Sequence, residues 1–207
     1  MGFYADQVFP RLMDWTMRGS RFQEQRAEAL RPLEGAVLEI GFGTGLNLPH
    51  YPATVTRLVA LDPASLLPKQ VARRVAAALM PVKRVAGEAE RLPFAGRRFD
   101  CVVSTWTLCT IPDLAAALRE VCRVLKPGGR YVFLEHGRSD SPRVAAWQDR
   151  LNPLQRRLGC GCNLNRPIDR LIVEAGLRLT HLDRFRMSGV PRFGGEMYRG
   201  VAVPPPG

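Results

Sequence analysis

Three glycines at alternate positions, directly after an apolar run, constrain this chain more than any other feature. The run is Ala36-Val37-Leu38-Glu39-Ile40, and Gly41-Phe42-Gly43-Thr44-Gly45-Leu46-Asn47 follows it. A strand that empties into such a turn, with a helix expected beyond it, lets backbone approach a ligand lying over the strand end. Nucleotide and dinucleotide sites share this plan. The dinucleotide fingerprint G-x-G-x-x-G, however, requires glycine where Leu46 stands. Glu39 also places a carboxylate two residues before the first glycine. That charge would repel a pyrophosphate and attract a ligand bearing sulfonium and ammonium groups. A nicotinamide cofactor is therefore disfavoured.

The rest of the chain alternates apolar runs with helix-like stretches, the pattern of a mostly parallel sheet with helices on both faces. Leu58 to Leu61 reads as a second strand, closed by Asp62-Pro63. Ser65 is the expected cap of a helix whose Leu67, Val71, Val75 and Leu79 share one face. Val82 to Val85 is a short, edge-like third strand, Phe99 to Ser104 a fourth and Tyr131 to Leu134 a buried fifth. Between the last two, Asp113 caps a helix carrying Leu114, Leu118, Val121, Cys122 and Leu125 at helical spacing. Lys126-Pro127-Gly128-Gly129 ends it, because proline cannot continue the hydrogen-bond ladder. Further helices are expected from Pro142 and from Pro167, the second closed by Gly176. Leu177 to Phe185 and Glu196 to Val203 form an expected antiparallel pair, and the tail 204–207 is expected to be disordered. No repeat or linker divides the 207 residues, so one domain is expected.

Composition narrows the function classes. The net charge of +11 raises the question of nucleic acid. Yet the basic residues are nearly all arginine, with only Lys69, Lys83 and Lys126, and they form no long run. Diffuse arginine usage of this kind reads as compositional bias, so nucleic acid is disfavoured as substrate and only a weak acidic-membrane association is expected. Cys101, Cys109, Cys122, Cys160 and Cys162 are odd in number and lack disulfide-framework spacing, which suits a reducing cytoplasm. Cys160-Gly161-Cys162 finds no matching ligand pair at zinc-like spacing, so no metal is expected. No apolar run approaches the ~20 residues that span a bilayer. The stretch from Phe9 to Trp15 reads as an amphipathic helix, not a signal peptide.

Two acids extend the ligand site. Asp62 ends the second strand roughly 20 residues beyond the first glycine, where an acid accepts hydrogen bonds from ribose hydroxyls. Gly87-Glu88-Ala89-Glu90-Arg91-Leu92-Pro93-Phe94 follows the third strand, and an acid there can accept from an adenine amino group. Taken together, Glu39 to Asn47, Asp62-Pro63, Gly87 to Phe94 with Phe99-Asp100, and Leu118 to Glu135 resemble successive motifs of class I S-adenosylmethionine-dependent methyltransferases. That type includes the ubiquinone and menaquinone methyltransferases. Ser104 to Cys109, Val121 to Gly129, Leu134-Glu135-His136 and Gly161 to Leu164 are similar to mammalian methyltransferase-like proteins that methylate alkyl thiols. Those proteins carry an N-terminal hydrophobic anchor, which is not expected here.

The resemblance implies a Rossmann-like, doubly wound, mostly parallel seven-stranded sheet with an antiparallel last strand. It implies S-adenosyl-L-methionine as cofactor and a small-molecule methyl acceptor: a thiol, a hydroxyl or a quinol-like carbon. An RNA or protein methyltransferase on the same fold, and a non-catalytic cofactor-binding protein, are the alternatives. The first is disfavoured because Ser104-Thr105-Trp106 stands where such enzymes carry an Asn-Pro-Pro-Tyr-like motif. Gly41, Gly43 and Gly45 would approach the methionyl part, Asp62 the ribose, and Glu88 with Ala89 the adenine. Aspartate is the family's usual residue at the position of Glu88. The full expected cofactor set adds Glu39, Phe42, Asn47, Pro63, Glu90, Ser104 and Thr105. Residues 1–35 would form a helical lid, with Phe3, Tyr4, Phe9 and Trp15 as its aromatic members, 36–135 the cofactor core, and 136–203 the acceptor-side helices and last strands. After the fourth and fifth strands, Ser104 to Thr107, Cys109, Glu135 and His136 would line the acceptor side. His136 is the expected general base, since imidazole titrates near neutrality. His50 is expected to be structural or cofactor-adjacent, His181 structural, and Trp106 a pocket wall or else a core residue.

Overall fold

The computed structural model describes residues 4–64 and 66–205. Phe3, the expected helix cap Ser65 and the last two residues of the tail lie outside the described residues.

Seven strands form one sheet in the order β3-β2-β1-β4-β5-β7-β6. They are β1 (Gly35–Ile40), β2 (Val55–Asp62), β3 (Val82–Ala86), β4 (Phe99–Thr105), β5 (Leu125–His136), β6 (Arg178–Arg186) and β7 (Glu196–Val203). The first five pair in parallel, and β7 runs antiparallel between β5 and β6. The central strands are covered on both faces, which is why β1 and β4 read as continuous apolar runs. Leu38, Ile40, Val102 and Phe133 face one core, which α4 (Leu114–Val124) and α6 (Ile168–Glu174) complete with Leu118, Val121, Ile168 and Ile172. Val37, Val103 and Val132 face the other, where α2 (Ser20–Leu30) supplies Leu30 and α3 (Pro68–Ala76) supplies Val71. The remaining helices are α1 (Phe9–Thr16) and α5 (Pro142–Leu158).

Three local expectations differ from the structure. The glycine turn leads into a single 3-10 turn, Leu48–His50, instead of an α-helix. Pro49 removes one backbone donor, and Pro52 holds Tyr51 extended, with ψ 128°. Leu79 is 89% exposed because α3 stops at Ala76, before the periodic pattern does. The long central helix ends at Val124, and Leu125 already pairs with Phe99 as part of β5. No helix among the described residues is long and apolar enough to cross a membrane.

Asp113 caps α4 as expected, its carboxylate accepting from the Ala116 amide at 2.9 Å. Replacing it with alanine leaves that amide without its acceptor. Asp113→Ala should lower the unfolding free energy by about 1 kcal/mol, read by urea denaturation. An unchanged midpoint would show that the cap contributes nothing.

Candidate active site

The strand order reverses between β1 and β4, so the ligand crevice of this fold lies outside their carboxyl ends. The glycine turn occupies that point. Gly41 has φ 75°, and a Cβ there would fall 2.2 Å from the Thr107 side chain, so the loop after β4 closes directly on the turn. Gly43 has φ 57°, and a Cβ there would meet only the Gly41 carbonyl oxygen, 4.0 Å away. The turn is tied to β2, since Gly41 and Phe42 both donate their amides to the Leu61 carbonyl. Asp62 continues this tie: its Oδ2 accepts from the Gly43 amide at 2.7 Å and its Oδ1 from the Ala64 amide at 2.9 Å. Burial raises the Asp62 carboxyl above its ordinary range, against both amides.

Beneath the turn lies a buried polar network. Glu39 Oε1 accepts from Asn47 Nδ2 at 2.6 Å and Oε2 from the Tyr51 hydroxyl at 2.8 Å. The Arg26 guanidinium, from α2, donates Nη1 to Asn47 Oδ1 at 2.7 Å and to Thr105 Oγ1 at 3.0 Å. It stacks 4.6 Å over the Trp106 ring, and its Nε is buried without a partner among the described residues. Burial drives the Glu39 carboxyl up to about 7, against its bonds to Tyr51 and Asn47 and the charge of Arg26. Burial likewise pulls Arg26 down to about 10, against Glu39. At neutral pH the arginine remains charged and the glutamate is poised between its two states.

The N-terminal helices close over this network. Asp14 on α1 is buried and accepts from Thr44 Oγ1 at 2.6 Å and from Arg74 Nη1 at 2.7 Å. Arg74, on α3, also donates to the Thr44 carbonyl at 2.6 Å. Burial pushes the Asp14 carboxyl up, but Arg74 and Thr44 outweigh it and hold the group below the usual carboxylate range.

A second buried acid lies at the carboxyl end of β5. Glu135 Oε1 accepts from Ser104 Oγ at 2.8 Å, and Oε2 accepts from the amides of Thr107 and Leu108 at 2.9 and 3.1 Å. Burial lifts it to about 7, against Ser104 and Leu108. Trp106, at φ 50°, makes the bend that presents those amides. Next to it, His136 Nε2 lies 3.2 Å from Cys162 Sγ, with Cys109 completing the group. Against burial, Cys162 raises the His136 imidazole. The hydrogen bond with Cys109 lowers the Cys162 thiol, and the same bond together with burial raises Cys109.

The structure thus gathers Glu39, Gly41, Gly43, Gly45, Asn47, Asp62 and Thr105 around one point. Phe42 and Ser104 differ from the expectation of direct contact. Phe42 packs in the core between Leu48 and Tyr51, and Ser104 is wholly buried against Tyr131 and Glu135. Glu88 and Pro63 are exposed on their loops, Ala89 is buried, and Glu90 accepts from the Asp113 amide at 3.4 Å. His50 bonds Gln23 at 2.7 Å, a structural position, and His181 lies exposed in β6. Trp106 packs against Phe22 of α2 rather than lining an open wall. Arg26, Asp14, Tyr51 and Arg74 had no sequence signal. Cys162 stood out as half of a C-x-C pair and within the Gly161 to Leu164 resemblance, with no sign of its contact with His136.

A Rossmann-like sheet ending in an antiparallel strand, with a glycine turn and an acid at the β1/β4 switch point, defines the class of protein. Residues 38–133 match the model of a family described as a methyltransferase domain. It is 34% identical over 154 residues to the thiol S-methyltransferase TMT1A of Homo sapiens, covering 71% of this chain and 63% of that protein. It is 35% identical over 132 residues to the demethylmenaquinone methyltransferase of Thermobifida fusca, covering 63% and 52%. The chain therefore spans between half and two thirds of the length of these curated relatives. The same fold occurs in the 1,6-didemethyltoxoflavin-N1-methyltransferase of Burkholderia thailandensis, solved with S-adenosylhomocysteine bound. There the TM-score is 0.67 at 18% identity, covering 94% of this chain and 82% of that one.

The raised Glu39 carboxyl has a consequence for stability. An unfolded glutamate ionises near 4.5 and the folded one near 7, so the folded state binds the extra proton between those values. Its stabilising contribution is complete below pH 4.5 and is lost as pH rises through 7. Relative to Glu39→Gln, which stays neutral, the wild type should lose up to about 3 kcal/mol between pH 5 and pH 8. Denaturant titrations of both proteins at each pH measure this. Parallel curves would show that Glu39 ionises in the fold as freely as in water.

Proposed function

We propose that the chain binds S-adenosyl-L-methionine and transfers its methyl group to a small-molecule acceptor, with a thiol as the first candidate and a hydroxyl or quinol-like carbon next. The observation that carries this reading is the buried Glu39–Asn47–Arg26 network beneath the glycine turn. An amino-acid end group has one cation and one anion, and Glu39 and Arg26 offer a partner for each. The residues fit this group: Arg26 Nε is a buried donor without a partner among the described residues, and a Cβ at Gly43 would meet only the Gly41 carbonyl oxygen, 4.0 Å away.

Bound S-adenosylmethionine supplies a methyl group on a sulfonium, open to in-line displacement. Around it, the chain's own residues bind and align. The backbone of Gly41, Gly43 and Gly45 lies along the methionyl part, with Asn47 and Thr105 holding Arg26 in place and Phe42 supporting the turn from the core. Asp62 receives the ribose hydroxyls, since each of its oxygens takes only one amide and keeps a lone-pair site. Pro63, Glu88, Ala89 and Glu90 border the adenine. Ser104 acts through Glu135, fixing the loop that separates cofactor from acceptor. His136 is the base for an acceptor that must lose a proton, and a thiolate needs only alignment. Free cysteines suit a reducing cytoplasm. Leu12 and Trp15, exposed on α1 near Arg11, suit weak contact with an acidic membrane surface.

Calorimetry with S-adenosylmethionine and NAD, followed by labelled-methyl transfer to thiols, phenols and quinols, tests the reading. Binding of NAD alone would overturn it. Asp62→Ala should weaken cofactor affinity roughly 30- to 150-fold. It should also lower the melting temperature, because the Gly43 amide loses its acceptor. A lower melting temperature with unchanged affinity would make Asp62 a purely structural residue. Arg26→Lys keeps the charge but not the planar fork, and should weaken cofactor binding about 10-fold or more. Wild-type affinity in that variant would remove Arg26 from the site.

A further inference from the structure

Cys109, His136 and Cys162 lie far apart in the sequence and meet beyond the carboxyl ends of β4 and β5. Their ligand atoms all fall within 4.8 Å of one another, and His136 Nε2 is 3.2 Å from Cys162 Sγ. We propose that these three side chains form a binding site for one zinc-class divalent ion. The proposal stands whether or not the chain transfers methyl groups. Where the ion is bound, however, it replaces the role of His136 as base, because a nitrogen that gives its lone pair to a metal cannot also take a proton.

Geometry and chemistry agree on the ion. Even the widest triangle that these separations permit places a central ion about 2.5 Å from all three atoms. Zinc sites have Zn–S near 2.3 Å and Zn–N near 2.0–2.1 Å, so a contraction of a few tenths of an ångström suffices. Two thiolates and an imidazole are the soft, borderline set that selects zinc over magnesium or calcium. Two thiolates neutralise a divalent charge, so the filled site avoids the penalty of an isolated buried ion. Three protein ligands leave one coordination position, as in open zinc sites.

The loops are built to hold these atoms together. Cys160 and Gly161 take left-handed conformations, φ 49° and 95°, which turn the chain so that Cys162 points back at the sheet. Asn163 donates both its amide, at 3.0 Å, and its Nδ2, at 2.8 Å, to the Cys109 carbonyl. Arg166 grips the same loop through the carbonyls of Leu108 and Ile111. Cys160 is exposed and lies outside the triangle.

The test is metal content of the reduced, dialysed protein, with cobalt(II) replacing zinc as a spectroscopic probe. Expected are about one zinc per chain and a thiolate-to-cobalt charge-transfer band. Cys109→Ser, Cys162→Ser and His136→Ala should each weaken zinc binding by about 100-fold or more, exceeding the usual loss of an outer-shell partner. Cys160→Ser and Cys122→Ser should bind as the wild type does. Should a ligand variant fail to fold, the wild-type cobalt spectrum decides alone. A folded, reduced wild-type chain that takes up neither ion overturns the proposal. So does a charge-transfer band that survives Cys162→Ser in folded protein, or a Cys109–Cys162 disulfide as the only species found. All readouts are made on the resting protein, so a failure here leaves the methyl-transfer reading untouched.

Discussion

The site depends on one arrangement: a carboxylate and a guanidinium, both buried, that meet through the side chain of Asn47. Glu39 is carried on a central strand and Arg26 on α2, which also packs Leu30 into the core beside that strand. Neither charge is tolerable alone in the interior, because removal from water without a partner costs several kcal/mol. Asn47 serves both, donating through Nδ2 to the acid and accepting through Oδ1 from the base. The N-terminal helices are thereby bound to the strand ends by chemistry as well as by packing. Asp14 repeats the device one layer out, joining α1 to the glycine turn and to α3. The N-terminal helices thus have two polar fastenings, each touching the glycine turn.

Much of this fold was legible because its signals are local. Leu38 and Ile40 alternate with Val37, and α4 shows helical spacing, so strand and helix follow from period alone. The glycines were legible for another reason: backbone that must enter the left-handed region leaves a mark in residue type. The failures have equally definite causes. Pro49 and Pro52 cut short the helix expected after the turn, and the glycine pattern masked them. Phe42 lies within the motif, but the motif constrains only its backbone, and its ring went to the core. Arg26 meets Thr105 across 79 positions and Cys162 meets His136 across 26. One arginine among many, or one cysteine in a C-x-C pair, carries no mark of a partner that only the folded topology brings near.

The two buried acids divide the crevice between them. Glu39 organises the side of the glycine turn from β1. Glu135 organises the opposite side from β5, bracing the loop after β4 through the amides of Thr107 and Leu108. That loop touches both halves: Thr107 packs against Gly41, while Cys109, two residues on, belongs to the cluster with His136 and Cys162. Arg166 holds it from the other side by its carbonyls. A segment of five residues therefore has its amides, its carbonyls and its side chains each committed to a different element. Short loops so fully bonded have little freedom to move alone. A change at Gly41 would then be felt at Cys109 through rigid displacement of one loop rather than through a chain of weak contacts. That places the spacing between the glycine turn and the cysteine–histidine cluster under the control of β4 and β5, the two strands whose carboxyl ends carry Thr105, Glu135 and His136.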